Sequence, residues 1–266
     1  MMYILVFFLI ILIFLISKKK ENFSNIDQNF IDKNFTICMK TIYRRKLLKE
    51  HLKFIRSKYP NIRIIIADDS DEGYIKETKE YIKEYLKGNT EYIELPFDSG
   101  LSIGRNECVK KVKTPFIILT DDSRAINTDF NILKNIVDFL KNNEHGLVTG
   151  FTPERKGKFR SFIKDYKLSE DNIIKEVNID NNRNIKYKDL EFVNIGRGNN
   201  TFIAKTNVLK NHGWDEKLKI GEHRTFFKNL FRNNIKILYC DKLRFKEFSN
   251  KLRKYDKNGK KMRKRA

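Results

Sequence analysis

Asn61-Ile62-Arg63-Ile64-Ile65-Ile66-Ala67-Asp68-Asp69-Ser70-Asp71 decides the fold. From Ile62 to Ala67 only Arg63 is polar, and four of the six residues are isoleucine. The run is too β-branched and too continuous for a surface helix, and it fits a strand of a parallel sheet covered on both faces. It ends in a pair of aspartates. Upstream, Leu47, Leu48, Leu52, Phe54 and Ile55 recur at helical spacing between Leu47 and Ser57, before Pro60 stops the helix, and Phe35 to Met39 is a short apolar strand. Downstream come a helix around Tyr74 to Leu86, a strand at Tyr92 to Leu95, a helix from Ile103 to Lys113 and a strand from Phe116 to Thr120. That last strand also ends in an acidic pair, Asp121-Asp122, with Ser123 next. The alternation βαβαβαβ predicts an α/β doubly wound sheet, in which ligands bind beyond the carboxyl ends of the strands. Asp68, Asp69, Asp121 and Asp122 are therefore expected in one cleft.

An acidic pair at a strand end can merely cap the following helix. Two such pairs in one half-sheet suit a nucleotide site, where one carboxylate accepts from a base or ribose and another holds a divalent cation against a diphosphate. Between the pairs, Ser99-Gly100-Leu101-Ser102-Ile103-Gly104-Arg105-Asn106 opens a helix, whose N–H groups and arginine can hold an anion or simply start the helix.

The chain has 266 residues, 40% of them hydrophobic, enough for a packed core and a cleft. Cys38, Cys108 and Cys240 are odd in number and widely spaced, which excludes a disulfide scaffold and zinc-ligand spacing; they read as small buried hydrophobes. The net charge of +21 attracts polyanions, anionic membranes or phosphorylated substrates. Part of it lies in a basic tail over residues 251–266 that reads as solvated. No zinc-finger, helix-turn-helix or stacking-aromatic pattern accompanies the charge, and no specific nucleic-acid partner is expected.

Met1 to Ser17 carries no charge, and the apolar run from Tyr3 to Ile16 ends at Lys18-Lys19-Lys20. Seventeen helical residues reach about 25 Å, and snorkelling lysines extend that toward a bilayer core of about 30 Å. With no positive region before the run and no small-x-small site after it, a retained single-pass anchor over residues 1–17 is expected rather than a cleaved leader. Residues 18–34, polar and rich in Asn and Asp from 21 onward, read as a linker to a domain over 35–250. The lysines favour a cytosolic domain, whereas the sequons Asn22-Phe23-Ser24 and Asn34-Phe35-Thr36 suit a lumenal one, so the side of the membrane stays open. Past Gly150 the pattern weakens. Phe159 to Asp180 mixes helix-like and polar stretches, and Phe192 to Lys205 alternates glycines and amides before an apolar strand.

Several blocks together carry a resemblance: Thr36 to Thr41, Tyr59-Pro60, Ile65 to Asp71, Leu95-Pro96-Phe97, Gly104-Arg105-Asn106, Thr120-Asp121-Asp122, and Gly213-Trp214-Asp215-Glu216 followed by Gly221-Glu222-His223-Arg224-Thr225-Phe226-Phe227. The chain resembles the GT-A glycosyltransferases, and among them the β-1,4-N-acetylgalactosaminyltransferases of ganglioside-type glycans, over roughly Phe35 to Ser249. The resemblance implies a Rossmann-like, mixed but mostly parallel sheet flanked by helices. It implies an inverting transfer from a UDP-sugar donor, with UDP-N-acetylgalactosamine foremost, to a saccharide acceptor, in a membrane enzyme of Golgi/ER type. Thr41, Asp68 and Asp69 fall where that family holds the uridine, Arg105 and Asn106 where it faces the diphosphate and sugar, and Asp121, Asp122 and Ser123 on its metal-binding motif. Glu247 aligns with the family's late metal-site histidine and Asn200 with the acceptor side; Trp214, the only tryptophan, is either a sugar-stacking platform or a core anchor. Glu222 is the expected catalytic base, since an inverting transfer needs a group to take the acceptor's proton, with His223 as the alternative. The sequence departs where the family has a third acid, at Ser123, followed by Arg124. Either Asp121 and Asp122 still hold Mn²⁺ or Mg²⁺, or nearby cations replace the ion. A non-catalytic sugar-nucleotide or glycan-binding protein with a degraded metal motif is the other reading.

Overall fold

The computed structural model describes residues 27–152, 163–179, 184–219 and 221–248. The expected anchor (1–17) and basic tail (251–266) lie outside the described residues, among which no helix is long and apolar enough to cross a membrane. The chain runs α1 (27–34), β1 (Phe35–Thr41), α2 (Arg45–Lys58), β2 (Arg63–Asp68), α3 (Glu72–Tyr81), α4 (Lys83–Leu86), β3 (Thr90–Glu94), α5 (Leu101–Lys111), β4 (Phe116–Asp121), β5 (Arg124–Ile126), α6 (Phe130–Lys141) and β6 (Leu147–Phe151). It continues with β7 (Asp165–Leu168), β8 (Ile174–Val177), β9 (Asn184–Tyr187), β10 (Leu190–Ile195), β11 (Phe202–Lys205), α7 (Thr206–Asn211), α8 (Glu222–Arg232) and β12 (Ile237–Glu247).

Period-two alternation explains the layers. Ile37, Met39, Ile64, Ile66 and Ile118 point to one face of the sheet and pack with Leu47, Leu48 and Leu52 of α2 and Leu133 and Val137 of α6. Their neighbours Cys38, Ile65, Ala67, Ile117 and Leu119 point to the other, against Cys108 and Val109 of α5 and Phe226 and Phe227 of α8. A strand buried on both faces favours apolar side chains along its middle, which is why Ile37 to Met39 of β1 and Ile64 to Ala67 of β2 read as apolar runs, with polar residues at the strand ends. All three cysteines are free and buried, as their spacing implies.

The main sheet has the order β3-β2-β1-β4-β11-β6-β12-β10-β9, with β5 paired to β12. The expected parallel character holds for β3-β2-β1-β4 and for β6-β12 only. The pairs β4-β11, β11-β6, β12-β10 and β10-β9 are antiparallel, so the sheet is evenly mixed rather than mostly parallel. The cause is connectivity: parallel neighbours need a helical crossover, and among the described residues no helix lies between β6 and β11. Two further expectations shift. Within the expected linker, residues 27–34 are helical, with Ile31 buried in the core and Phe30 edge-on to Phe130 at 5.5 Å. The helix-like stretch after Phe159 is, within the described residues, the two-stranded hairpin β7-β8.

Candidate active site

β1 sits between β2 and β4, and the register places Lys40 opposite Asp121 and Thr41 opposite Asp68. With strands about 4.8 Å apart, the two acidic tips flank the end of β1 at the point where the strand order reverses. Lys40 and Thr41 tie them together. The Lys40 ammonium lies 2.5 Å from Asp69 Oδ1, and Thr41 Oγ1 donates to Asp122 Oδ2 at 3.2 Å. The two acidic tips expected to lie together therefore stand side by side across the end of β1.

Asp68 and Asp69 are built into its wall. Asp68 accepts from the Ser70 amide and hydroxyl and from the Tyr92 hydroxyl, and burial raises its pKa against those bonds. Asp69 is fully buried; Oδ2 accepts from the Gly100 amide, while its backbone carbonyl accepts from the Asp98 amide. Expected as uridine ligands, both carboxylates instead spend their oxygens on the protein, fixing the loop from Pro96 to Gly100 and the Lys40 ammonium. Lys40 can stand there because α5 approaches through Gly104. A Cβ at that position meets Lys40 Cγ at 2.5 Å.

Arg105 projects from the buried face of α5, its side chain only 3% exposed. A guanidinium taken so far out of water needs ionic partners, and it has two. Nη2 lies 3.3 Å from Asp121 Oδ1 at the tip of β4, and Nη1 lies 3.3 Å from Glu222 Oε1 at the start of α8. Arg105, the expected diphosphate ligand, thus joins two residues distant in sequence, the expected metal ligand Asp121 and the expected base Glu222. Glu222 is the first residue of its helix, where the backbone dipole favours a negative charge. The turn into that helix is made by Gly221 at φ 78°, a left-handed conformation that glycine adopts freely.

Trp214 and Asn106 stand behind Arg105. The indole is buried, with Phe226 stacked 4.4 Å from it and the Arg105 guanidinium 5.4 Å from the ring centroid. Packed against Phe226 and the Arg105 guanidinium, Trp214 supports Arg105, which fits the core-anchor reading. Asn106 donates from Nδ2 to the Trp214 carbonyl and to Glu216 and accepts at Oδ1 from the Trp214 amide, so it clamps the 214–216 loop and does not face a donor. His223 is held neutral, its pKa lowered to about 4 chiefly by burial and then by Arg105 and Arg197. That makes it a poor proton acceptor near neutral pH. Asn200, expected on the acceptor side, has a buried Oδ1 without a partner.

The four expected metal ligands do not assemble into a donor set. Asp122 is buried, ion-paired to Arg44 at 2.8 Å and held by Thr41; burial raises its pKa and Arg44 opposes the rise. Asp121 has Arg105 on Oδ1 and Arg124 at 3.6 Å from Oδ2. Glu247 returns to the cleft because β12 pairs with β5, placing it opposite Arg124 at 3.9 Å. The backbone of Ser123 accepts from the Phe248 amide. Among the described residues no group of three or more His, Cys, Asp or Glu comes together. Hard divalent ions need several convergent oxygens at 2.0–2.6 Å, whereas here each carboxylate faces an arginine. The residues present do not fit the ion. Sequence reading missed Lys40, Arg44 and His51, whose Nδ1 meets the Asp122 carbonyl at 3.1 Å; a charge just past a strand end is the only signal of the first two.

A cavity of about 730 Å³ is lined by Asn106, Leu209, His212, Trp214, Phe226 and Arg232 among others, and by none of the strand-tip carboxylates.

Comparison with known proteins gives a consistent set of likenesses. The family model described as glycosyl transferase family 2 matches residues 36–207. Beta-1,4 N-acetylgalactosaminyltransferase 2 of Mus musculus is 33% identical over 132 residues, which is 50% of this chain and 24% of that protein. Beta-1,4 N-acetylgalactosaminyltransferase 1 of Homo sapiens is 33% identical over 122 residues, 46% of this chain and 21% of that protein. The match thus spans no more than a quarter of these relatives. Among solved structures, S. aureus TarS 1–349 superposes with a TM-score of 0.55 at 17% identity, covering 82% of this chain and 61% of that one. The same protein in complex with UDP-GlcNAc gives a TM-score of 0.55 at 16% identity, covering 82% and 59%. At that identity the likeness is one of fold.

Proposed function

The chain belongs to glycosyl transferase family 2, and from that premise we propose that it is a membrane-anchored, inverting transferase that moves a sugar, N-acetylgalactosamine foremost, from a UDP-sugar to a saccharide acceptor. One observation carries the reading: Arg105 holds Asp121 and Glu222 at 3.3 Å each, so the place for a leaving diphosphate and the place for a base share one cation. The names of the mouse and human relatives support the donor sugar, and the apolar run over residues 1–17 supports the anchor.

In this mechanism the UDP-sugar lies along the carboxyl ends of β1, β2 and β4, its diphosphate toward Arg105 and the neighbouring guanidiniums. The acceptor hydroxyl oxygen attacks the anomeric carbon from the face opposite the leaving group. The bond from that carbon to the β-phosphate oxygen breaks with its electron pair on UDP, and the hydroxyl proton passes to the Glu222 carboxylate. Arg105 meets the charge that grows on the leaving group. The test is UDP release and product formation over a panel of UDP-sugars and saccharide acceptors, with NMR of the new linkage. Transfer from an α-linked donor to give a β-linked product supports the proposal. An α-linked product removes the inverting mechanism, and UDP binding without turnover across the panel favours a sugar-nucleotide-binding protein instead.

A further inference from the structure

Arg124 lies between two of the three carboxylates expected to grip a metal ion, Asp121 and Glu247. One end of its guanidinium lies 3.6 Å from Asp121 Oδ2 and the other 3.9 Å from Glu247 Oε1. Those separations are ionic contacts, longer than hydrogen bonds. The carboxylates therefore hold the guanidinium in place without consuming its donors. Its Nε is buried and makes no hydrogen bond. On the opposite oxygen of Asp121 sits the buried Arg105. A divalent ion bound to Asp121 would stand within a few ångströms of two fixed positive charges, with no third acid at Ser123 to offset them.

The same chemistry that excludes an ion suits a diphosphate. A guanidinium is planar, permanently charged and rich in donors, and it binds phosphate oxygens in pairs. The backbone fixes where it points. Arg124 begins β5, which is pinned by its register with β12, Arg124 opposite Glu247 and Ile126 opposite Phe245, and by the hydrogen bond from the Phe248 amide to the Ser123 carbonyl. A strand position held from two sides is a more exact support than a free loop.

We propose that Arg124, together with Arg105, takes the part of the divalent cation in this protein, so that the diphosphate of the nucleotide is bound by guanidinium groups and without metal. This rests on the reading of the cleft as a UDP-sugar site and goes beyond it in naming what neutralises the phosphates.

The experiment is calorimetric titration of UDP into the purified full-length chain, once with excess EDTA and once with excess Mn²⁺, with Mn²⁺ electron paramagnetic resonance on the same samples. The expected affinities agree within about twofold, and Arg124→Ala weakens UDP in EDTA by about tenfold or more, the loss of a charge-assisted contact. Arg124→Lys, which keeps the charge and loses the planar fork, falls between the two and carries the test if the alanine variant does not fold. The resonance spectrum of Mn²⁺ with UDP is the same whether or not the wild-type protein is present. Binding of UDP only when Mn²⁺ is present, or an Arg124→Ala variant that binds as the wild type does in EDTA, overturns the inference and leaves the nucleotide site standing. Failure to bind UDP under both conditions overturns the site reading and the inference with it.

Discussion

Gly104→Ala sets helix propensity against packing, and the structure decides the sign. Gly104 lies inside α5, where replacing glycine by alanine ordinarily stabilises a helix by about 1 kcal/mol. Here the new methyl group falls 2.5 Å from Lys40 Cγ and 3.4 Å from Lys40 Cβ. Carbon atoms rest at about 3.5–4.0 Å, so the lysine stem must move by about 1 Å. The atoms struck are near the backbone of a central strand, where there is little room to yield. Overpacking of this kind costs about 1–3 kcal/mol. The displaced stem also carries the ammonium away from the fully buried Asp69, and a buried carboxylate left without its partner costs about 3–5 kcal/mol if the separation is complete. With partial separation, we expect Gly104→Ala to lose about 2 kcal/mol in urea unfolding. UDP affinity should fall as well, since Lys40 holds Asp69 at the tip of β2. A variant more stable than the wild type, with UDP affinity unchanged, refutes the packing assigned to α5 and Lys40.

Two further outcomes follow from the buried groups. His51 is fully buried with its pKa lowered from 6.5 to about 4 by desolvation, so the unfolded chain takes a proton below pH 6.5 that the folded chain refuses. Stability should fall by about 3 kcal/mol as the pH drops from 6.5 through 4, at about 1.4 kcal/mol per pH unit; urea unfolding of wild type and His51→Gln across that range checks it, and equal slopes would discount His51. Trp214→Ala should cost about 3–5 kcal/mol of stability, because the ring is a packed member of the Phe226 and Phe202 stack. A stable Trp214→Ala variant that loses only acceptor affinity would restore the stacking platform.

How much of this was legible follows from burial. Strands β1, β2 and β4 are covered on both faces, so their central residues are apolar, and the βα alternation and acidic tips follow directly. Strands β7 to β10 are short and largely half-exposed, and they leave no comparable run to read. Residues 27–34 are rich in Asn and Asp, which hid a helix whose apolar docking rests on Phe30 and Ile31. In the site, Glu222 and Arg105 could be named from their motifs, but their ion pair spans 117 positions of sequence and exists only because α5 and α8 pack on one face. The same folding turns Trp214 and Asn106 inward. The resemblance brought Glu247 to the Asp121–Ser123 motif, but its pairing with Arg124 was not legible, because β12 reaches β5 only after the irregularity between Cys240 and Arg244.

The central claim is that Glu222 takes the acceptor's proton in a nucleotide-sugar cleft built by Asp121 and Arg105, and Glu222→Gln tests it most directly. The amide keeps the shape and removes the base. Measured side by side on the full-length chain, sugar transfer should fall by about 10²–10⁴-fold, the usual contribution of a general base, while the dissociation constant for UDP stays within a few-fold of the wild type. Transfer retained at the wild-type rate would place the proton elsewhere, and UDP binding lost along with transfer would make Glu222 a structural partner of Arg105 and nothing more.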